Sequence, residues 1–179
     1  DLQGWDQEEI AFNVNYNSGS CLLSREELDS FLSAALDVWN SVPNSRIKVK
    51  IGNSSTTTAA EAWAGSAKDY PIIICDSEIT STLSGTDTNN IPGVSLPRVE
   101  GGRLTGGTIL LNSKSSDESN LKEVIDLNVE IAKVVVAHEV GHVLGLGHSD
   151  DINALMYFNA SLKKNLRLSQ DDMDGITWL

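Results

Sequence analysis

The segment HEVGHVLGLGH, residues 138–148, holds every histidine of the 179-residue chain, three in all. No other stretch restricts the fold as strongly. His138 and His142 stand four residues apart in an apolar run, so a helix there presents both imidazoles on one face from adjacent turns. Gly145 follows three residues after His142. Glycine accepts the left-handed backbone that ends a helix and turns the chain sharply, and such a turn can bring His148 back to the same point. Three converging imidazoles with one position left open suit a catalytic zinc rather than a structural one. Glu139 is displaced round the helix but able to reach a ligand of that ion. A lone histidine on an apolar helix is usually a satisfied core residue, and HExxH alone is a moderate signal. The longer pattern HExxHxxGxxH fixes five positions and uses all the histidine available.

These parts imply a reaction. A zinc-bound water has its pKa lowered towards about 7, and Glu139 accepts its proton as it attacks a carbonyl. Glu139 then passes the proton to the departing amine, which is what peptide-bond hydrolysis requires. Two other readings stay open: a catalytically inactive zinc-binding module, and a zinc hydrolase acting on a non-peptide amide. A decoy has no need of Glu139, so its presence favours an enzyme.

The remaining pattern alternates strands and helices. AFNVNYN (11–17), RIKVKIG (46–52), PIIIC (71–75), IPGVSLPRV (91–99) and GGTILLN (106–112) read as strands, and Pro97 makes the fourth of them an edge strand. SREE (24–27) is a capping-box pattern that opens a helix with Leu28, Phe31, Leu32, Ala35, Leu36 and Trp39 on one face. Asn120 is expected to cap a second helix reaching Leu144, and Ser169 a short last one. Residues 53–60 read as a solvated loop. With no internal repeat and no linker, a single domain over 1–179 is expected.

A formal net charge of −12 repels phosphate backbones, so nucleic-acid binding is not expected. No apolar run approaches the roughly 20 residues that span a bilayer. The chain starts at Asp1 without an initiator methionine or a charged-then-apolar leader, as a processed form would. Cys21 and Cys75 read either as one disulfide or as two buried thiols. The tryptophans, Trp5, Trp39, Trp63 and Trp178, read as packing residues rather than a sugar-binding platform.

HEVGHVLGLGH, Ser149 directly after it, and ALMY (154–157) together resemble the matrixin branch of the metzincin metalloproteases. LSQDDMDGI (168–176) resembles the matrixin C-terminal helix, SREELDSFLSAALDVWNSV (24–42) its first helix, and GGRLTGGTILLNS (101–113) the strand before the active-site helix. The resemblance implies an α+β zincin fold: a twisted mixed five-stranded sheet, two long helices including the active-site helix, a Met-turn and a short C-terminal helix. It implies an upper subdomain of about 1–148 and a lower one of about 149–179. His138, His142 and His148 would be zinc ligands, Glu139 the general base and Met156 a hydrophobic floor. Val94, Ser95 and Leu96 on the edge strand, with Tyr157 and Phe158, would line a cleft for an extended protein or peptide substrate. A secreted, monomeric endopeptidase is the expected setting.

The chain also departs from the family. No histidines remain for a second, structural zinc. Asp87, Asp117 and Glu118 are candidates for Ca2+, with solvated acidic loops as the competing reading. After ALMY the family's proline and tyrosine are replaced by Phe158-Asn159-Ala160, so residues 157–168 are expected to shape an unusual specificity wall. Asp171 and Asp172 are expected to tie the last helix to the Met-turn. Cys21 sits in SGSC, not in an inhibitory cysteine-switch motif.

Overall fold

A computed structural model describes residues 3–16 and 22–179. Its strands are β1 (Gln3–Trp5), β2 (Glu9–Asn15), β3 (Lys48–Ser54), β4 (Ile72–Asp76), β5 (Gly93–Glu100) and β6 (Arg103–Asn112). Its helices are α1 (Arg25–Asn40), α2 (Ala59–Trp63), α3 (Ile79–Thr82), α4 (Leu121–Leu127), α5 (Val129–Leu144) and α6 (Gln170–Trp178), with a 3-10 turn at Ala160–Leu162. The fold is mixed α/β. The main sheet order is β5-β6-β4-β2-β3, in which β5 alone runs antiparallel, and short β1 joins parallel to the first residues of β6. The five expected strands are thus present, and β1 adds a sixth. Pro97 lies on β5, whose only strand partner among the described residues is β6, so its missing N–H disrupts no inner ladder.

The sheet is covered on both faces. On one side the apolar stripe of α1 and most of α5 pack against Phe12, Ile73, Ile109 and Leu111. The indole N–H of Trp39 donates to the Ala137 carbonyl at 3.0 Å, fastening α1 to α5 across the core. The capping box of α1 forms as expected: Glu27 N–H donates to Ser24 Oγ at 3.2 Å, and Ser24 N–H to Glu27 Oε2 at 2.8 Å. On the other face Ile72, Ile74 and Leu110 pack with Ala62 and Ile79 from α2 and α3. With both faces covered, β4 is buried throughout, the ordinary state of an inner parallel strand.

Three expectations change. Residues 53–60 are not wholly a solvated loop, because Thr58 opens α2 through a second capping box with Glu61. The helix expected from Asn120 to Leu144 is two helices. Asn128 is extended (φ −163°, ψ 104°), and its side chain accepts from the N–H groups of Glu130 and Ile131 to start α5. An Asn that can satisfy orphan donors at a helix start competes with continuing the helix through it. Trp178 is 85% exposed on the last turn of α6, whereas Trp5 and Trp39 are buried and Trp63 is half-buried. Cys75 is disulfide-bonded at the end of β4; Cys21, the other half of the expected pair, lies outside the described residues.

Candidate active site

Helix α5 reaches the site between a strand and a turn. Two glycines let it approach: a Cβ on Gly107 of β6 would stand 2.8 Å from Val143, and one on Gly141 would stand 2.3 Å from the Met156 sulfur. The helix stops at Gly145, at φ 114°, whose N–H donates to the carbonyls of Gly141 and His142. The following N–H, of Leu146, also returns to Gly141. The chain reverses there and delivers His148 against the helix.

The three histidines meet, each offering a ring nitrogen, with all three nitrogens within 4.8 Å of one another. His138 is buried, His142 half-buried and His148 exposed, so the group opens to solvent on one side. Backbone carbonyls fix two of the rings. His138 Nδ1 lies 2.8 Å from the Leu155 oxygen and His142 Nδ1 lies 2.9 Å from the Leu146 oxygen. A carbonyl only accepts, so each Nδ1 carries the proton and each Nε2 is left with a lone pair. Those two Nε2 atoms face each other at 3.0 Å. Two lone pairs at that distance repel, and a cation between them turns the repulsion into binding. The donor set therefore fits Zn2+, which takes neutral imidazole nitrogens at about 2.0–2.1 Å with the other ring nitrogen held by a carbonyl. Burial pushes the His138 imidazole down to about 4 and lowers His142 too, which keeps both neutral and able to bind metal.

Glu139 points towards β5. Ser95 of β5 donates its hydroxyl to Glu139 Oε2 at 2.6 Å, and Gly93 of the same strand lies beside the Glu139 side chain. Burial raises the carboxyl to about 7, against the lowering effect of the Ser95 hydrogen bonds. A carboxylate poised near neutrality suits a group that must take up and release a proton.

The floor is wired from below. Met156 is 2% exposed and its sulfur packs on the α5 backbone at Gly141. Asp172, also buried, accepts from the N–H groups of Leu155 (2.7 Å), Met156 (2.9 Å) and Ser169 (2.7 Å). One carboxylate thus caps α6 and holds the segment whose Leu155 carbonyl aims His138. Asp171 is exposed in the first turn of α6 and plays no such part.

The other expected residues divide. Val94, Ser95 and Leu96 lie on β5 beside α5, and the rings of Tyr157 and Phe158 lie tilted at 48° with centroids 4.5 Å apart, Phe158 being 64% exposed. Asp87, Asp117 and Glu118 are not gathered into a metal-type group among the described residues. Asp87 and Glu118 are exposed. The Asp117 carboxylate is occupied by Thr88 (2.6 Å), Asn112 (3.1 Å) and Lys114 (3.1 Å), which together hold it below its usual pKa. The Ser95–Glu139 bond joins residues 44 apart in sequence, and only the alternation of β5 hinted that Ser95 shares the face of Gly93. Trp63, expected as a packing residue, and Tyr70, which the sequence did not single out, both pack against the second core cluster and flank the far end of β5.

Fold and site define a class: a mixed α/β domain that sets a three-histidine cluster and a glutamate beside an edge strand. Residues 50–179 match the matrixin family, and the chain belongs to that family. Over 175 residues it is 31% identical to the interstitial collagenase of Sus scrofa, covering 96% of this chain and 32% of that protein. Shorter matches reach 51% identity over 43 residues with metalloendoproteinase 1 of Glycine max, covering 24% of this chain and 14% of that protein. Neutrophil collagenase of Homo sapiens is 56% identical over 45 residues, 24% of this chain and 10% of that protein. The chain spans about a third of the length of the interstitial collagenases it matches along most of its own. The family and these relatives support a zinc metalloendopeptidase in general.

Proposed function

We propose that this chain is the catalytic domain of a zinc-dependent endopeptidase that cleaves extended protein or peptide segments. The observation that carries the reading is the pair of carbonyl-locked imidazoles with facing Nε2 lone pairs, one residue away from a glutamate on the same helix. His138, His142 and His148 would hold the ion. Zinc in such a site acts as a Lewis acid and makes water a nucleophile near neutral pH.

The chain's own groups do the rest. Glu139 takes the proton of the attacking water and returns it to the departing amine nitrogen. Ser95 occupies Oε2, so Oε1 is the oxygen free to move that proton. The open edge of β5 offers backbone N–H and C=O groups to an extended chain, which aligns the scissile bond past Glu139. Met156 and Asp172 keep the ring of His138 aimed. The domain works as one unit, with residues of about 1–148 above the cleft and 149–179 below it. It acts as a monomer outside the cell, where the Cys75 disulfide is stable.

The test is metal analysis together with cleavage of an unfolded protein. Glu139→Ala should retain zinc and lose turnover by about three orders of magnitude or more. Undiminished cleavage by that variant, or a wild-type protein that takes up no zinc, would sink the reading.

A further inference from the structure

We propose that the segment after Met156 carries a docking site for an acidic segment of the protein substrate, one that intersperses carboxylates with apolar side chains. This rests on the endopeptidase reading above. A cavity of about 610 Å³ lies between residues 152–153, the 162–168 segment and the start of α6. Lys163, Lys164 and Arg167 line it, and none of its lining residues is acidic. Neither Glu139 nor a histidine of the cluster belongs to it. Asn153 on its wall stands two residues before Leu155, whose carbonyl holds His138, so the cavity is a close neighbour of the cluster.

In a chain with 25 acidic and 13 basic residues, three cations gathered without a carboxylate call for a partner. Seven ion pairs join other lysines and arginines to carboxylates among the described residues, and none involves these three. Lys163 donates instead to the Asn153 carbonyl. The nearby carboxylates are committed elsewhere. Asp151 accepts from the backbone N–H and the side-chain amide of Asn153, at 2.9 and 3.1 Å. Asp172 takes three backbone N–H groups, and Asp174 the Gln170 amide at 2.7 Å. Asp150 and Asp171 are exposed and lie outside the cavity lining.

Burial lowers the pKa of the Lys163 ammonium; Asp172 and Asp151 pull it back up, and Arg167 pushes it down again. A guest carboxylate eases both unfavourable effects. Lys164 and Arg167 are exposed and ready to meet it, the guanidinium as a two-pronged donor and the ammonium as a point charge. Between the cations the cavity is apolar. Leu168 is buried and Met173 half-buried, while Ile152 and Leu162 are 61% and 57% exposed. A guest that alternates acid and leucine satisfies both kinds of surface. Held this close to the reacting atoms, it belongs to the chain being cut.

The experiment uses the zinc-loaded protein and pairs of fluorogenic peptides that share one cleavable core. One member carries a tail of alternating Glu and Leu, the other a tail of alternating Gln and Leu. The tails precede the cleaved bond in one pair and follow it in the other. The readout is the ratio of kcat/KM within a pair, which partial unfolding does not alter because both peptides meet the same folded fraction. In one placement, wild type should prefer the Glu tail about tenfold at low ionic strength, through KM rather than kcat, and high salt should remove most of the preference. Changing both Lys164→Gln and Arg167→Gln should bring the ratio to within about twofold of unity, and changing both to Glu should invert it. Lys68→Glu, an exposed position outside the cavity lining, should leave the ratio near wild type. Equal rates in both placements, a preference that survives the double reversal, or an equal loss from Lys68→Glu would overturn the docking site. The Glu139→Gln protein supplies an arm without turnover, in which the Glu tail should bind more tightly than the Gln tail by fluorescence polarisation. Heparin binding there without that order would point to a polysaccharide surface and overturn the proposal. Failure of the endopeptidase reading looks different: wild type cuts no peptide while the Glu tail still binds, and the acidic site stands without it.

Discussion

The proposed mechanism needs an ionised Glu139, yet the residue sits where burial favours the neutral acid and raises its pKa to about 7. The folded state therefore holds a proton more tightly than the unfolded chain between the ordinary glutamate value and about 7. Stability from this group is present at low pH and is lost as pH rises through 7. Metal-free Glu139→Gln should thus be more stable than metal-free wild type at pH 8, by roughly 1–2 kcal/mol, and nearly equal to it at pH 5. Denaturant melts at the two pH values check this, and an equal gain at both would refute it. Gly141 carries a second prediction at this scale. An added methyl would meet the Met156 sulfur and the Trp39 ring, so Gly141→Ala should cost about 1–3 kcal/mol despite its better helix propensity. Urea midpoints measure it. The meeting of the histidines, with Glu139 beside them, could be read from spacing, because a helix and a glycine turn dictate where they go, whereas Met156 was expected only through the resemblance to the matrixins. Ser95 as partner of Glu139 could not, since no local rule brings a β5 hydroxyl to an α5 carboxylate 44 residues away.

Elements were legible where one periodicity held and were missed where a capping residue interrupted it. Helix α1 shows an unbroken apolar stripe and an S-x-x-E start, and it appears where that pattern placed it. TTTAAE (56–61) has the same box, but α2 is only five residues long, too short for periodicity to mark it. The break at Asn128 has the same origin. Leu127 is 85% exposed there, so no buried stripe required the helix to continue. Because Asn128 satisfies two amides at the start of α5, Asn128→Ala should lower stability by about 1 kcal/mol. The site lies at the other end of the helix, so KM and kcat should stay close to wild type. A thermal melt alongside peptide kinetics separates the two effects, and a large loss of kcat with unchanged stability would contradict the assignment.

At the scale of the whole molecule, the histidine cluster is held by three long-range connections that converge on α5: Trp39 from α1, Ser95 from β5, and Asp172 from α6 through the Met156 segment. Each fixes a side chain or carbonyl at the histidine cluster, so an ion bound there joins elements from both ends of the chain. Zinc that binds only the folded state adds RT ln(1 + [Zn]/Kd), about 4 kcal/mol at a thousandfold excess over Kd. For a domain of 179 residues that corresponds to a drop of roughly 10 °C in Tm when a chelator removes the ion at pH 7.5. The difference should shrink as pH falls, because each ligand must be neutral to bind. Burial holds the His138 imidazole down to about 4, so that ligand remains neutral well below the ordinary histidine range and gives way only near that value. Melts with and without chelator at pH 7.5, 5.5 and 4 should show a large, a smaller and a vanishing difference. Identical Tm values at pH 7.5 would mean that no ion ties these elements together.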